Sequence, residues 1–289
     1  MGVSNKLFIA LGIFFGGVLS FLEPSFAKDI PQWLERVELS AQYESDKKPT
    51  FYFQTVQPLY QSDDKIETFF YQPRISLRGG DLTYNVGIGY RKLVRENLLL
   101  GINLFGDYQD LHEHGRIGVG FEALGQIIEA RLNGYFRVTP TRIVEDITAS
   151  TTYERVANGA DFELGAPIPY LPWLKVYASG FWYNFTRFSD KCGWKSRLEA
   201  KLSKSVTLEF YTWDDNKGSL EYGGGARFNI AFDKLSDFKE AFKLSDKPFP
   251  EKDLTKQALI PVERNYDIVV EKWSESKVGG VTVEIKRAN

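Results

Sequence analysis

The stretch that decides the fold is residues 218–232, GSLEYGGGARFNIAF. Successive side chains of a strand point to opposite faces, so this repeat gives one apolar face and one small, polar face. An apolar-outward, polar-inward repeat that ends on an aromatic residue is typical of the strand that closes a transmembrane β-barrel. The apolar positions are Leu220, Tyr222, Ala226, Phe228, Ile230 and Phe232. We identify the last three, Phe228, Ile230 and Phe232, as the barrel-closing strand end.

Similar alternating segments, bounded by turn residues, recur along the chain. Most are 9–11 residues or longer, the length that a tilted strand needs to cross a bilayer. The sequence therefore predicts an all-β fold, a 12-stranded antiparallel transmembrane β-barrel over residues 35–232. The predicted strands are 35–46, 49–60, 66–78, 81–92, 97–109, 114–124, 126–138, 160–167, 173–186, 194–203, 205–214 and 219–232.

The even strand number predicts that both ends of the barrel lie on the periplasmic side. The connection that follows each odd-numbered strand, from the first to the eleventh, should then face outward, and these connections should be the longer set. The longest connection, Thr139–Gly159, joins the seventh and eighth strands and fits this rule. The proline-rich link Ala166–Pro172 is longer than an inward turn should be.

The first 27 residues have the pattern of a secretory signal. Lys6 supplies the positive charge, Leu7–Leu22 the apolar stretch and Ser25–Ala27 a small-residue cleavage site. The alternative is an uncleaved membrane anchor. After Ala27 there is no run of 18 apolar residues, so any later membrane crossing must use strands.

Composition excludes several classes of protein. The 289 residues suffice for one or two domains, and a net charge of −2 argues against a nucleic-acid partner. Cys192 is the only cysteine, which excludes an intramolecular disulfide and a cysteine-based metal site. Aromatic clusters at 51–53 and 69–71 suit a membrane-interface girdle, although the core of a soluble β protein would also use them.

Small residues mark the predicted inner face. Glycine weakens a strand, so a series of them at lumen positions requires a reason. Either another length of backbone passes close by, or small residues help the sheet to curl. The lumen-facing glycines of interest are Gly87, Gly89, Gly118, Gly120, Gly223 and Gly225.

Fifty-seven residues follow Phe232. Asp233–Leu244 has apolar residues at helical spacing, and the charged, proline-containing residues 245–260 indicate an extended linker. Residues 233–260 are long enough to run through the lumen. Residues 261–289 then form a short C-terminal extension with two predicted strands, 265–273 and 280–286.

Several motifs together resemble the inverse autotransporter β-domain, the barrel of the intimin and invasin adhesins. They include LGINLFGDY at 100–108, GRIGVGFE at 115–122, LNGYFR at 132–137 and YERVANGAD at 153–161. After the barrel, VERNYDIVVE at 262–271 is similar to a family segment of the form VxRNNxIVLEYKK. Its family positions include Val262, Arg264, Asn265 and Ile268.

This resemblance implies an outer-membrane barrel whose C-terminal chain threads the lumen and displays a passenger outside. It also implies outer-membrane lipid, the barrel-insertion machinery and periplasmic chaperones as partners, and a host or neighbouring cell surface as an adhesion target. About 29 residues follow Ile260, fewer than the roughly 40 that an isolated domain usually needs. We therefore expect a short extension in place of the passenger.

No catalytic, cofactor-binding or metal site is expected. His112 and His114 are the only histidines, and on a mobile loop two imidazoles lack a fixed ligand geometry. No serine or cysteine is placed beside a histidine by this pattern, which argues against a barrel enzyme. Three hypotheses remain: a translocator and surface anchor, a porin-like channel with the tail as a plug or a periplasmic stub, and a soluble periplasmic β protein.

Overall fold

A computed structural model describes residues 31–45, 47–229 and 242–285 of the chain. Nearly all regular structure in this part is β. The strands are β1 Val37–Glu44, β2 Thr50–Thr55, β3 Gln57–Gln61, β4 Glu67–Arg78, β5 Asp81–Val94, β6 Leu98–Gln109, β7 His114–Gly125, β8 Glu129–Arg137, β9 Arg142–Asp146, β10 Ser150–Val156, β11 Asn158–Ile168, β12 Leu171–Asn184, β13 Lys191–Lys201, β14 Val206–Asp215, β15 Glu221–Asn229, β16 Val270–Ser276 and β17 Thr282–Ile285.

Antiparallel pairing closes the large sheet into a ring. Strands β2 and β3 both pair with β4 and flank the buried Val56, so they act as two halves of one interrupted strand. The first and last strands of the barrel meet at β1 and β15, where Leu39 pairs with Phe228. The ring therefore contains twelve strands, as predicted, and has no open edge.

The alternation along each strand separates an apolar outer wall from a polar inner wall. In β6, Leu100, Ile102 and Leu104 point outward and are 42–47% exposed, whereas Asn103 and Asp107 point inward and are buried. Apolar residues that face away from the barrel would be in water unless lipid covered them. The hypothesis of a soluble β protein with an apolar interior is therefore wrong.

The connections divide the barrel into two ends. The turn end carries the links after β3, β5, β7, β11 and β13, together with the start of β1 and the described end of β15. The loop end carries the links after β1, β4, β6, β8, β12 and β14. The longest link, 138–157, lies at the loop end, where the parity argument places it.

Part of that long link forms structure that the alternation did not predict. Strands β9 and β10 form a hairpin, and β10 pairs with β16 of the C-terminal tail, which pairs in turn with β17. We call this four-stranded sheet the cap sheet. Its strands are short, and β10 finds its partner more than 100 residues away, so local periodicity carries little signal for it.

The tail differs from the predicted lumenal helix. Most of Asp233–Leu244, together with Ile230, Phe232 and the signal residues 1–27, lies outside the described residues. Between 242 and 285 the only helical element is a 3-10 turn at Leu254–Gln257, and the chain that follows it is extended. Among the residues that the structure describes, no helix has the length and apolar character that a membrane span requires.

Candidate functional site

The extended tail residues 258–269, here called the threading segment, run along the inner wall from one end of the barrel to the other. Just before this segment, near the turn end, the side-chain amide of Gln126 donates to the carbonyl of Lys252. The buried Arg91 then donates to the carbonyls of Ala258 (3.2 Å) and Ile260 (2.6 Å). The barrel thus supplies the donors that the extended backbone cannot find within itself.

An Asp107-centred cluster holds the middle of the threading segment. Arg264 donates to both carboxylate oxygens of Asp107, at 3.0 and 2.8 Å, and Arg116 donates to Oδ2 at 2.8 Å. Arg116 also donates to the carbonyls of Asn265 and Asp267. All three charged side chains are at most 1% exposed. Because water does not reach them, each charge is stabilised by its ion pairs and hydrogen bonds within the cluster.

Two acidic tail residues meet basic residues of the wall on either side of this cluster. Glu263 accepts from Arg227 at 3.1 Å and lies 3.7 Å from Arg197. Asp267 accepts from Arg78 at 2.7 Å. Along the tail, Glu263, Arg264 and Asp267 follow one another as acid, base and acid. Each of them therefore meets the opposite charge on the barrel.

Polar and apolar contacts add specificity to these ion pairs. The backbone N–H of Val262 donates to Gln72, and the side chain of Val262 packs in a buried cluster with Val56, Phe70 and Phe105. Asn265 makes a separate pair of contacts. Its backbone and side-chain nitrogens donate to the hydroxyls of Tyr135 and Tyr183, at 2.8 and 2.7 Å.

The family positions of the tail therefore differ in their contacts. The inner wall contacts three of these positions, Val262, Arg264 and Asn265. The fourth, Ile268, is half-buried. At the strand that closes the barrel, Phe228 is half-buried and paired between Leu39 and Val206.

The lumenal glycines make room mainly for inward side chains of the barrel. An added Cβ at Gly118 would meet the guanidinium of Arg264, so this position lies against the tail. At the other five positions it would meet the side chain of a neighbouring inner-wall residue. The two predicted explanations, a backbone that passes close by and a curled sheet, do not cover these contacts fully. The pairs are Gly87 with Phe105, Gly89 with Phe70, Gly120 with Asn103, Gly223 with Tyr211 and Gly225 with Gln42.

Beyond the loop end, the tail enters the cap sheet. The carbonyl of Val269 accepts from the N–H of Ala157, and β10 and β16 continue the pairing. Glu271 is 1% exposed and accepts backbone hydrogen bonds from Thr186, Arg187 and Phe188 in the link after β12. The carboxylate of Glu271 therefore ties the tail to the barrel rim.

Both histidines of the chain meet one carboxylate of the cap sheet. His112 Nδ1 and His114 Nε2 each lie 2.8 Å from Oε2 of Glu154, while Lys272 Nζ lies 2.8 Å from Oε1. Burial raises the pKa of Glu154, but the contacts with His114 and Lys272 outweigh it and lower the pKa to about 2. Sequence reasoning missed Glu154 because 40 residues separate it from His114.

A protein-family model describes what this architecture is. The model of the inverse autotransporter β-domain matches residues 18–193, more than half of the chain. The chain belongs to this family. The resemblance drawn from its motifs is thereby confirmed, and a closed barrel with an apolar outer wall and a polar lumen is the construction of outer-membrane proteins.

Curated relatives include proteins named invasin and intimin. The chain is 28% identical over 152 residues to a putative attaching and effacing protein homolog of Escherichia coli K12, covering 51% of this chain and 50% of that protein. It is 32% identical over 117 residues to invasin of Yersinia enterocolitica, covering 40% and 13%. The chain thus spans half or less of the length of these relatives.

A solved structure shows the same fold. A membrane protein from a study of in-meso crystallization superposes with a TM-score of 0.64 at 20% identity, covering 82% of this chain and 99% of that one. At this identity the likeness concerns the fold alone.

Proposed function

We propose that this protein is an outer-membrane translocator and anchor that exports its C-terminal segment through its own lumen and displays it at the cell surface. The observation that carries the proposal is the threading segment, whose charged residues Glu263, Arg264 and Asp267 each meet an opposite charge on the inner wall. A tail that merely rested beneath the barrel would make no such set of contacts.

The proposal assigns a compartment to each end. The turn end faces the periplasm and the loop end, with the cap sheet, faces outward. Residues 1–27 serve as the export signal, cleaved near Ala27. Residues 35–232 form the barrel, 242–257 lie near its turn end, and 258–269 cross the lumen. Residues 270–285 emerge as the described part of the displayed extension.

The family implies the partners. Periplasmic chaperones and the barrel-insertion machinery would deliver the chain to outer-membrane lipid. Relatives bear the names invasin and intimin, and a displayed extension that contacts a host or neighbouring cell is the corresponding role here.

Labelling of intact cells tests the proposal. In a Cys192→Ser background, Val283→Cys places a thiol on the exposed face of β17, and Asp63→Cys places one in an exposed connection of the turn end. A membrane-impermeant maleimide should label the Val283→Cys protein on intact cells and the Asp63→Cys protein only after permeabilisation. Labelling of both only after permeabilisation would refute surface display.

A porin-like channel is the second candidate. The observation in its favour is a cavity of about 280 Å³ beside the threading segment, bordered by Glu44, Arg78 and Lys195 among other polar residues. Planar-bilayer recording distinguishes the two functions. A translocator held shut by its tail gives little steady current, whereas a large steady current from the full chain favours the channel.

A further inference from the structure

Three ligand-type side chains converge at the rim of the barrel, where the cap sheet meets the loop end. His112 and His114 belong to the hairpin between β6 and β7, and Glu154 belongs to β10. One donor atom from each residue lies within 4.8 Å of the other two. The chain has two histidines in all, and both converge on one carboxylate oxygen.

The surroundings give these side chains a fixed geometry. His114 is fully buried and Glu154 is 4% exposed, while His112 is partly open to solvent. Sheet pairing fixes the backbone at both places, Gln109 with His114 and Glu154 with Lys272. The expectation of a mobile loop without ligand geometry therefore does not apply to these residues.

The two imidazoles present one nitrogen each to the same oxygen atom. His112 Nδ1 and His114 Nε2 both lie 2.8 Å from Oε2 of Glu154. The other ring nitrogen of His114, Nδ1, is buried and has no hydrogen-bond partner among the described residues, so the contact at Nε2 is what orients this ring. His114 is 0% exposed, and bulk water does not reach its Nε2.

We propose that His112, His114 and Glu154 form a binding site for a divalent transition-metal ion, with Zn²⁺ as the best match. Two imidazole nitrogens and one carboxylate oxygen are a known zinc ligand set. The metal–ligand bonds are about 2.0–2.2 Å long, and three protein ligands leave a fourth position for water. With those bond lengths in a tetrahedral site, each nitrogen would lie about 3.3 Å from the Glu154 oxygen, about 0.5 Å farther than in the structure, and the two nitrogens would lie about 3.3 Å from each other.

Neighbouring charges define how the ion is held. Lys272 occupies Oε1 of Glu154, so the carboxylate offers the ion a single oxygen, Oε2. Glu113, on the same hairpin, pairs instead with Arg142 at 3.1 Å and is not a ligand. The ammonium of Lys272 opposes the charge of the ion and reduces its affinity, while it also orients the carboxylate.

The site would clamp the cap sheet to the barrel. Its histidines come from the hairpin between β6 and β7 and its carboxylate from β10, the strand that pairs with β16 of the tail. A bound ion would therefore oppose any separation of the cap sheet from the rim. Binding stabilises the structure that contains the site by an amount that rises with the logarithm of the ratio of ion concentration to dissociation constant.

Calorimetric titration with ZnCl₂ tests the site in the purified full chain in detergent, with Cys192→Ser as the background because a thiol also binds zinc. We expect one ion per chain. Binding should weaken at least about tenfold in His112→Gln and in Glu154→Gln, each of which removes a ligand. The matched control Glu113→Gln should bind like the background protein.

A spectroscopic measurement covers the case in which a variant folds poorly. His112 is partly exposed, so His112→Gln should retain the heat-modifiable gel shift of a folded barrel. Co²⁺ in place of Zn²⁺ should give the visible absorption of a low-coordinate site in the background protein and lose it in His112→Gln. Absence of heat with Zn²⁺, or equal binding in His112→Gln, Glu154→Gln and the background, would overturn the site. Binding of Zn²⁺ without slower hydrogen exchange in β16 would overturn the clamp.

Discussion

The outer and inner walls of the same barrel strands are built on different physical rules. In β6, outward Leu104 needs only an apolar surrounding, and any neighbouring lipid or apolar side chain supplies it. Inward Asp107 needs two particular guanidiniums, from Arg116 and Arg264, at fixed positions. The outer wall is therefore tolerant of exchange among apolar residues, and the inner wall is specific.

The largest expected effect breaks the inner wall. Asp107→Ala leaves two buried arginines without their carboxylate, and breaking a buried pair in this way costs about 3–5 kcal/mol. Urea unfolding of the barrel in detergent micelles, followed by tryptophan fluorescence, measures the loss. Asp63→Ala, at an exposed position of the turn end, is the control and should change little. Similar midpoints for the two variants would contradict the role given to Asp107.

The next prediction breaks the outer wall. Leu104→Arg places a charge near the middle of an outward strand, and arginine at the bilayer midplane costs about 2–4 kcal/mol. Folding into lipid vesicles, followed by the gel shift across a urea series, measures this cost. Leu111→Arg carries the same change into the exposed link beyond β6 and should fold nearly normally. Equal effects at the two sites would argue against a lipid-covered wall.

A smaller, local effect is expected where the tail leaves the lumen. Glu271→Gln places an amide against several backbone donors, and a lost charge-assisted network of this kind costs about 1–3 kcal/mol. Hydrogen exchange followed by mass spectrometry should show faster exchange in β16, with the barrel strands unchanged. Glu275→Gln, whose side chain is 35% exposed, should have the weaker effect. Exchange that is unaltered in Glu271→Gln would remove this anchor from the account.

The smallest effect concerns the exposed side of the cap sheet. Asp146 and Lys277 lie 2.7 Å apart but are 58% and 43% exposed, and water screens such pairs. Asp146→Asn should leave hydrogen exchange in β9 and β10 unchanged. A clear loss of protection would show that the cap sheet depends on its surface charges.

The same distinction between walls explains which features the sequence predicted. Outward residues repeat with a period of two, so the strand number, most strand bounds and the placement of the longest loop follow from local alternation. The partners of Glu263 and Arg264 could not be predicted, because they depend on which inner residues the closed ring brings opposite the tail. The pairing of β10 with β16 also depends on a connection through the lumen. The helical spacing of Leu235, Phe238 and Phe242 predicted a helix in the lumen. The element that threads the barrel is instead the extended segment 258–269, which that spacing did not identify.

The tail passes through the lumen and joins the cap sheet at the loop end, and a covalent link between β10 and β16 tests this path most directly. The hydroxyl oxygens of Thr152 and Ser274 lie 2.8 Å apart across β10 and β16, so cysteines at these positions should form a disulfide. In a Cys192→Ser background, peptide mapping of the non-reduced Thr152→Cys, Ser274→Cys protein should recover the linked peptides. The pair Thr152→Cys, Val283→Cys should stay unlinked, because β17 lies beyond β16. Absence of the first link in a folded, heat-modifiable barrel would contradict the threading of the tail.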